Sequence, residues 1–208
     1  MFLPSQFRHR LWETRRFLSL VMDYLLQPTL PRMTETHRTP FVALLENKLA
    51  VLEVELVKKK ILRRCTAEYS HFHDGRGRIW LLWLTNLINI VVLRSSDQYV
   101  HSEVTLKDSG LRFLLTITYG SNSPAERLVM WDDIISLAQH ISIPWLVGGD
   151  FNEVRFTNEK MGGRALQTGR LTRFNSCIEQ CSLFDIHTAG NSLSWNNRQA
   201  NRIACRLD

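Results

Sequence analysis

The chain is poor in the features that mark several protein classes. Its 208 residues hold only four cysteines, Cys65, Cys177, Cys181 and Cys205. None forms a CxxC pair with a second pair to match, so the spacing does not suggest a zinc site. Cys177 and Cys181 are four apart on an expected helix, where they share one buried face. A reduced, intracellular setting is the simpler reading. No apolar run reaches the length of a membrane span. The first residues lack the uninterrupted apolar core of a secretory signal, and Glu13 and Asp23 count against a transit peptide. There is no repeat or low-complexity segment.

What is present suits one domain with a sizeable core. Apolar residues make up 44%, which excludes a disordered chain. Lys and Arg outnumber Asp and Glu to give a net charge of +6. That balance favours a polyanionic partner such as nucleic acid.

Residues 1–40 differ from the rest. Met1 to Leu26 mixes Arg8, Arg10, Arg15 and Arg16 with Phe7, Leu11, Trp12, Phe17, Leu18 and Leu20, which predicts an amphipathic helix. Pro28, Pro31 and Pro40 mark a linker after it. The arm is expected to be an extension without chemistry of its own.

From Phe41 the pattern is regular. Phe41 to Leu45 reads as a buried strand, with Glu46 directly after it. Glu46 either opens a helix, where acids suit the N-terminus, or is a carboxylate held at a strand end. Leu45, Leu49, Leu52 and Leu56 have helical spacing up to about Arg64, where Lys58-Lys59-Lys60 reads as a solvated basic end, a nucleic-acid patch being the less favoured reading. A turn at residues 73–77 is followed by strands over Arg78 to Leu84, Asn89 to Leu93, Tyr99 to Leu106 and Leu111 to Tyr119. On the third of these, His101 and Glu103 are placed on a solvated face. Tyr119 ends the fourth, where it caps a core or reaches a phosphate. Ser123-Pro124-Ala125-Glu126 fits a capping box with proline at the first helical position. The helix it opens is expected to turn Leu128, Trp131, Ile135 and Ala138 inward. A second helix, Thr168 to Cys181, would bury Leu171, Phe174, Ile178 and Cys181.

The stretch around which these elements gather is Pro144-Trp145-Leu146-Val147-Gly148-Gly149-Asp150-Phe151-Asn152-Glu153. An apolar strand ends in two glycines and then offers an acid and an amide. On an extended chain Asp150 and Asn152 would project to the same side. Such a strand exit could position a water, a metal or a phosphate; the same residues also serve an ordinary turn. The element order predicts a mixed α/β (α+β) layered sandwich, because several neighbouring strands are joined by turns too short for crossovers.

Gly148-Gly149-Asp150-Phe151-Asn152 resembles the signature of the endonuclease/exonuclease/phosphatase superfamily, the DNase I-like fold. Phe41 to Lys48, Gly77 to Trp83, Ser96-Asp97-Gln98, Thr118 to Asn122, Asn158-Glu159-Lys160, Leu193-Ser194-Trp195 and Arg206-Leu207-Asp208 resemble, in order, the endonuclease domain of plant LINE-type (non-LTR) retrotransposons. The resemblance covers about residues 40–208 and implies a partial domain over residues 41–208 behind the helical extension. It implies phosphodiester hydrolysis with Mg²⁺, Mn²⁺ being the substitute. It also assigns roles. Glu46 is the metal ligand, Asp150 the group that orients or deprotonates water, and Asn152 the amide on the phosphate or leaving side. Tyr119 hydrogen-bonds the phosphate, Ser194 and Asn122 meet substrate, and Asp208 supports a histidine. The implied partners are DNA, with RNA or a reverse transcriptase domain of the same polyprotein as further candidates, and the implied location is nuclear.

Two departures accompany it. No asparagine precedes Glu46, where the family has a metal-binding one on its first strand, and none of the seven histidines has the family's context. The expectation is a fragment lacking strands at both ends, with weak or lost activity; the other reading is a non-catalytic, nucleic-acid-binding remnant, and less favoured still is a phosphatase.

Overall fold

The computed structural model describes residues 2–4, 18–22, 40–46, 65–70, 78–186, 193–197, 199 and 201–206, the first two segments by backbone alone. The helix expected to run to Arg64, the turn at residues 73–77 and Asp208 lie outside the described residues.

Two sheets face each other, with helices on the far side of one. The first has six strands. In chain order they are β1 (Phe2–Pro4), β6 (Ile88–Ser95), β7 (Tyr99–Leu106), β8 (Arg112–Tyr119), β9 (Trp145–Asp150) and β11 (Leu183–Asp185). Their order across the sheet is β11-β1-β9-β8-β7-β6. The second sheet runs β2 (Leu18–Met22), β3 (Phe41–Leu45), β5 (Ile79–Leu84), β4 (Cys65–Tyr69). Helix α1 (Pro124–Ala138) carries the chain from β8 to its parallel neighbour β9, and α2 (Thr168–Gln180) follows. A small third sheet joins β10 (Lys160–Met161), β13 (Ala204–Cys205) and β12 (Trp195–Asn196).

Side-chain alternation builds the layers. Phe41, Ala43 and Leu45 on β3 and Ile79, Leu81 and Trp83 on β5 meet Val100, Val104, Phe113, Leu115, Ile117 and Leu146 between the sheets. The opposite face of β8 and β9, with Leu114, Trp145 and Val147, packs on Met130, Trp131, Ile134, Phe174, Cys177 and Ile178 of the helices. Val42, Leu44, Trp80 and Leu82 form a further cluster on the outer face of the second sheet. Strands buried on both faces read as unbroken apolar runs, which is why FVALL and IWLLWL were legible as strands.

The N-terminal arm departs from its helical pattern. Phe2–Pro4 lies antiparallel between β9 and β11, and Leu18–Met22 runs parallel to β3, with Met22 opposite Leu45. Leu18-Ser19-Leu20-Val21-Met22 is a short apolar run, and a sheet edge supplies hydrogen bonds that sequence periodicity does not register. The helical N-terminal extension is therefore corrected at these two segments.

Smaller corrections concern the first helix and β7. Ser123 stands at the N-cap of α1 with proline after it, but its side chain makes no capping bond. Glu126 instead accepts from Ser121 Oγ at 2.5 Å. The buried stripe of α1 is Arg127, Met130, Trp131 and Ile134, with Leu128, Ile135 and Ala138 only partly buried. Along α2, Phe174, Cys177, Ile178 and Cys181 are buried and Leu171 is partly so. Glu103 pairs with Arg112 at the surface, as a solvated face allows.

His101 is only 4% exposed, because its face of β7 is covered by the helical layer rather than by water. Its Nδ1 lies 2.8 Å from Thr116 Oγ1, to which Trp145 Nε1 also donates at 2.8 Å. Burial, aided by the positive charge of Arg94, pushes its pKa down from 6.5 to about 4. The unfolded chain thus binds a proton between those values that the folded chain refuses. The stabilisation is complete above about pH 6.5 and is lost progressively as pH falls toward 4, by up to about 3 kcal/mol. Urea denaturation at pH 7.5 and pH 4.5 should show this decline in the wild type and a smaller one in His101→Gln. An equal decline in both would contradict it.

Candidate active site

β8 and β9 are adjacent and parallel, so they end side by side. Their last residues, Tyr119 and Asp150, are register partners. Glu46 comes from the facing sheet, as the residue that follows β3, with φ of 55°. Its backbone leaves the strand in the left-handed region, which an L residue adopts at a cost. The Tyr119 hydroxyl lies close enough to the Glu46 and Asp150 carboxylates to feel both charges. Burial first, then the negative charges of Glu46 and Asp150, push the Tyr119 pKa well above 10, against the opposing pull of Arg78. The Arg78 guanidinium carbon lies 5.9 Å from the ring centroid of Tyr119. Tyr119 is therefore a neutral donor between two carboxylates at any physiological pH.

Two glycines permit this approach. Gly149 has φ of 139°, and a Cβ there would stand 2.0 Å from the Thr118 carbonyl oxygen. A Cβ on Gly120 would stand 2.5 Å from the Phe151 carbonyl oxygen. The loops after β8 and β9 are then stitched together: Gly120 N–H donates to the Asp150 carbonyl at 2.7 Å, and Asn152 Nδ2 donates to the Gly120 carbonyl at 2.6 Å.

Asn152 does not continue the strand. Its φ is 48°, and its backbone N–H donates to Asp150 Oδ1 at 2.7 Å. The same-side projection expected of an extended chain is replaced by an Asx turn. Turn and site are the same object here, since the turn fixes one carboxylate oxygen of Asp150, which is 5% exposed.

Behind the loop lies a buried polar network that the sequence reading missed. Gln98 Oε1 accepts from Ser121 N–H at 2.7 Å, while its Nε2 donates to the Glu126 carbonyl at 3.0 Å. Arg127 Nη1 donates to the Ser121 carbonyl at 2.5 Å and Nη2 to Glu153 at 2.9 Å; Arg170 Nε donates to the same Glu153 oxygen at 2.9 Å. Arg127 and Glu153 are 2% and 5% exposed. A signal was available: Arg127 precedes Met130 and Trp131 by three and four residues, so a charge sits within the buried stripe of the helix.

Of the seven residues expected from the sequence, Glu46, Tyr119 and Asp150 converge, and Asn152 adjoins them. Asn122 is exposed in the loop before α1, and Ser194 is exposed just ahead of β12. Asp208 lies outside the described residues. Among the described residues no group of three or more His, Cys, Asp or Glu gathers as a metal cluster. Two carboxylates and a phenol are nonetheless oxygen donors. That set fits a hard cation such as Mg²⁺, which keeps several waters and takes one or two carboxylates.

No protein-family model and no curated protein matches the chain. Solved structures do. The endonuclease domain of TRAS1, a telomere-specific non-LTR retrotransposon, superposes with a TM-score of 0.69 at 12% identity, over 92% of this chain and 82% of that one. TDP2 of D. rerio, complexed with a single-strand DNA product, superposes with a TM-score of 0.58 at 15% identity, over 92% and 81%. The chain shares the α/β, DNase I-like fold of these two structures. Within this DNase I-like frame, Glu46, Tyr119 and Asp150 lie at the strand ends of two facing sheets, where loops rather than the core decide what can bind.

Proposed function

We propose that the chain hydrolyses phosphodiester bonds of nucleic acid with a divalent cation, most simply as the DNA endonuclease of a LINE-type retrotransposon. The observation that carries this reading is the convergence of Glu46, Tyr119 and Asp150 from strands of both sheets. The net charge of +6 supports a polyanionic substrate. RNA and a reverse transcriptase domain of the same polyprotein are further candidate partners, and the retrotransposon reading places the protein in the nucleus. Residues 41–208 are the catalytic unit in this reading, with β1 and β2 as strands lent by the preceding arm.

Glu46 would hold Mg²⁺, with Mn²⁺ as substitute, and the cation supplies charge stabilisation at the phosphoryl oxygens. Asp150, held by the Asn152 N–H, orients a water and accepts its proton as the water oxygen bonds to phosphorus; the ester P–O bond opposite it breaks, and the departing oxygen takes a proton from solvent. Asn152 keeps one amide N–H on the Gly120 carbonyl and presents the other to the phosphate or leaving oxygen. Tyr119, neutral and beside both carboxylates, donates its hydroxyl proton in a hydrogen bond to a non-bridging oxygen. Ser194 and Asn122 are assigned to the substrate beyond the scissile bond, and Asp208 to the support of a histidine.

Tyr119→Phe removes one donor while leaving the ring in the core. It should lower kcat by roughly 10- to 100-fold, by analogy with loss of one transition-state donor. Steady-state cleavage of a fluorescent duplex measures it; an unchanged kcat would remove Tyr119 from the mechanism.

A second reading, nucleic-acid binding with weak or no turnover, is favoured by one observation. No asparagine precedes Glu46 in the sequence, and β2, the strand paired with β3, holds no amide or acid in Leu18–Met22. Gel-shift binding without Mg²⁺-dependent cleavage would select it.

A further inference from the structure

A cavity of about 300 Å³ opens between the first turns of α1 and α2. Its wall includes Arg127, Arg170 and Arg173, with Glu153, Trp131 and Gln167. Glu153 is shared by Arg127 and Arg170, so one negative charge faces three positive ones and two are left over. Arg173 makes no hydrogen bond or ion pair among the described residues, and Arg170 is bound only to Glu153. Arg127 Nε is buried with no hydrogen-bond partner among the described residues. A buried guanidinium short of partners is not fully compensated, so its charge adds to the positive field at the cavity floor. Gln167 caps α2 without a side-chain bond, and no acid stands in its first turn, so the N–H groups of that turn add to the positive field.

We infer that this cavity is a phosphate-binding site, separate from the Asp150 site and reached from the same end of the first sheet. Its ligand is a phosphate group, carried by a nucleic-acid strand that crosses the Asp150 site or by a free nucleotide. Arg173 and Arg170 meet the phosphate oxygens at the mouth, and Arg127 completes the charge balance from beneath. Leu128 and Trp131 supply an apolar side for the sugar or base. The link to the catalytic loop is direct, because Arg127 also holds the Ser121 carbonyl two residues after Tyr119. The inference leans on the proposed function only for the source of the phosphate, not for the site.

The test is inorganic phosphate binding by the full chain in EDTA, read by calorimetry and by thermal shift against chloride at matched ionic strength. Wild type, Arg173→Ala and Asp150→Ala are compared. Arg173 is exposed on a helix and alanine is the best helix former, so that variant folds. The expected result is phosphate binding in the wild type, weakened about tenfold or more in Arg173→Ala and retained in Asp150→Ala. No phosphate-specific binding in the wild type, or equal binding by Arg173→Ala, would overturn the inference. So would loss in Asp150→Ala, which would place the phosphate in the catalytic site. A short single-stranded DNA and a mononucleotide then identify the source. If a strand is bound, Arg173→Ala lowers its affinity and reduces the salt slope by about 0.7; if a nucleotide, only mononucleotide binding falls. Either outcome supports the site, and phosphate binding in a protein that cleaves nothing would sink the proposed function while leaving this inference standing.

Discussion

Asp150→Ala is expected to lower Mg²⁺-dependent nicking by at least about 100-fold, the scale on which loss of a principal catalytic group is felt. Asp150 is the end of a central strand, 5% exposed, with one oxygen fixed by the Asn152 N–H and its carboxylate acting on the Tyr119 hydroxyl. A carboxylate so held can orient a water with little reorganisation. Asp150→Asn separates chemistry from structure. The asparagine side chain still accepts the Asn152 N–H, so stability should change by less than about 1 kcal/mol. Its activity should nonetheless fall as far as that of the alanine variant. Activity retained in either, measured on folded protein, would show that Asp150 does not carry the reaction.

The second large effect is on the fold itself. Gly149→Ala should destabilise the protein by roughly 3 kcal/mol or more, because overpacking and a forbidden backbone region act together. The added Cβ would stand 2.0 Å from the Thr118 oxygen, and a φ of 139° is not open to alanine. Neither strand can yield cheaply, since Thr118 and Gly149 are register partners in the middle of the six-stranded sheet. In a chain of this length the melting temperature should fall by about 10 °C. Gly110→Ala is the control. Its φ of 67° is also positive, but nothing lies within 4 Å of the added atom. It should cost about 1 kcal/mol. Equal losses in the two variants would show that backbone angle alone, not the approach of β8 to β9, explains Gly149.

How far the structure was legible in the sequence follows from what each residue's partner is. Phe41–Leu45, Ile79–Leu84 and Trp145–Asp150 are continuous apolar runs, and such runs need no knowledge of their neighbours to be read as buried strands. Gly148 and Gly149 were legible as the end of a strand, though not that the Thr118 backbone crowds Gly149. The short strand Cys65–Tyr69 was not legible, because CTAEY has neither an apolar run nor clear alternation and is held by pairing with β5. Leu18–Met22 was hidden for a related reason: arginines and leucines upstream gave a helical period, while the parallel partner Phe41–Leu45 lies well along the chain. His101 was placed on a solvated face because alternation tells which residues share a side but not what covers that side. The buried Arg127–Glu153 pair shows the converse. A charge within an apolar stripe is visible in the sequence, whereas its partner, 26 residues on, is visible only in the fold.

The same distinction holds at the site. Asp150, Asn152, Tyr119 and Glu46 came from short motifs, and the fold shows what brings these candidates together: parallel β8 and β9 set Tyr119 beside Asp150, and Glu46 follows β3 of the facing sheet. A turn and a site are alternatives in the sequence, yet the Asx turn at Asn152 is what holds the Asp150 carboxylate of the candidate site.

The most direct test of this account is relaxation of supercoiled plasmid by the purified full chain, in Mg²⁺ and in EDTA, with circular dichroism on the same sample. The account expects slow conversion of supercoiled to open-circular DNA that requires Mg²⁺ and stops in EDTA. Nicking that continues in EDTA, or none from protein shown to be folded, would contradict it.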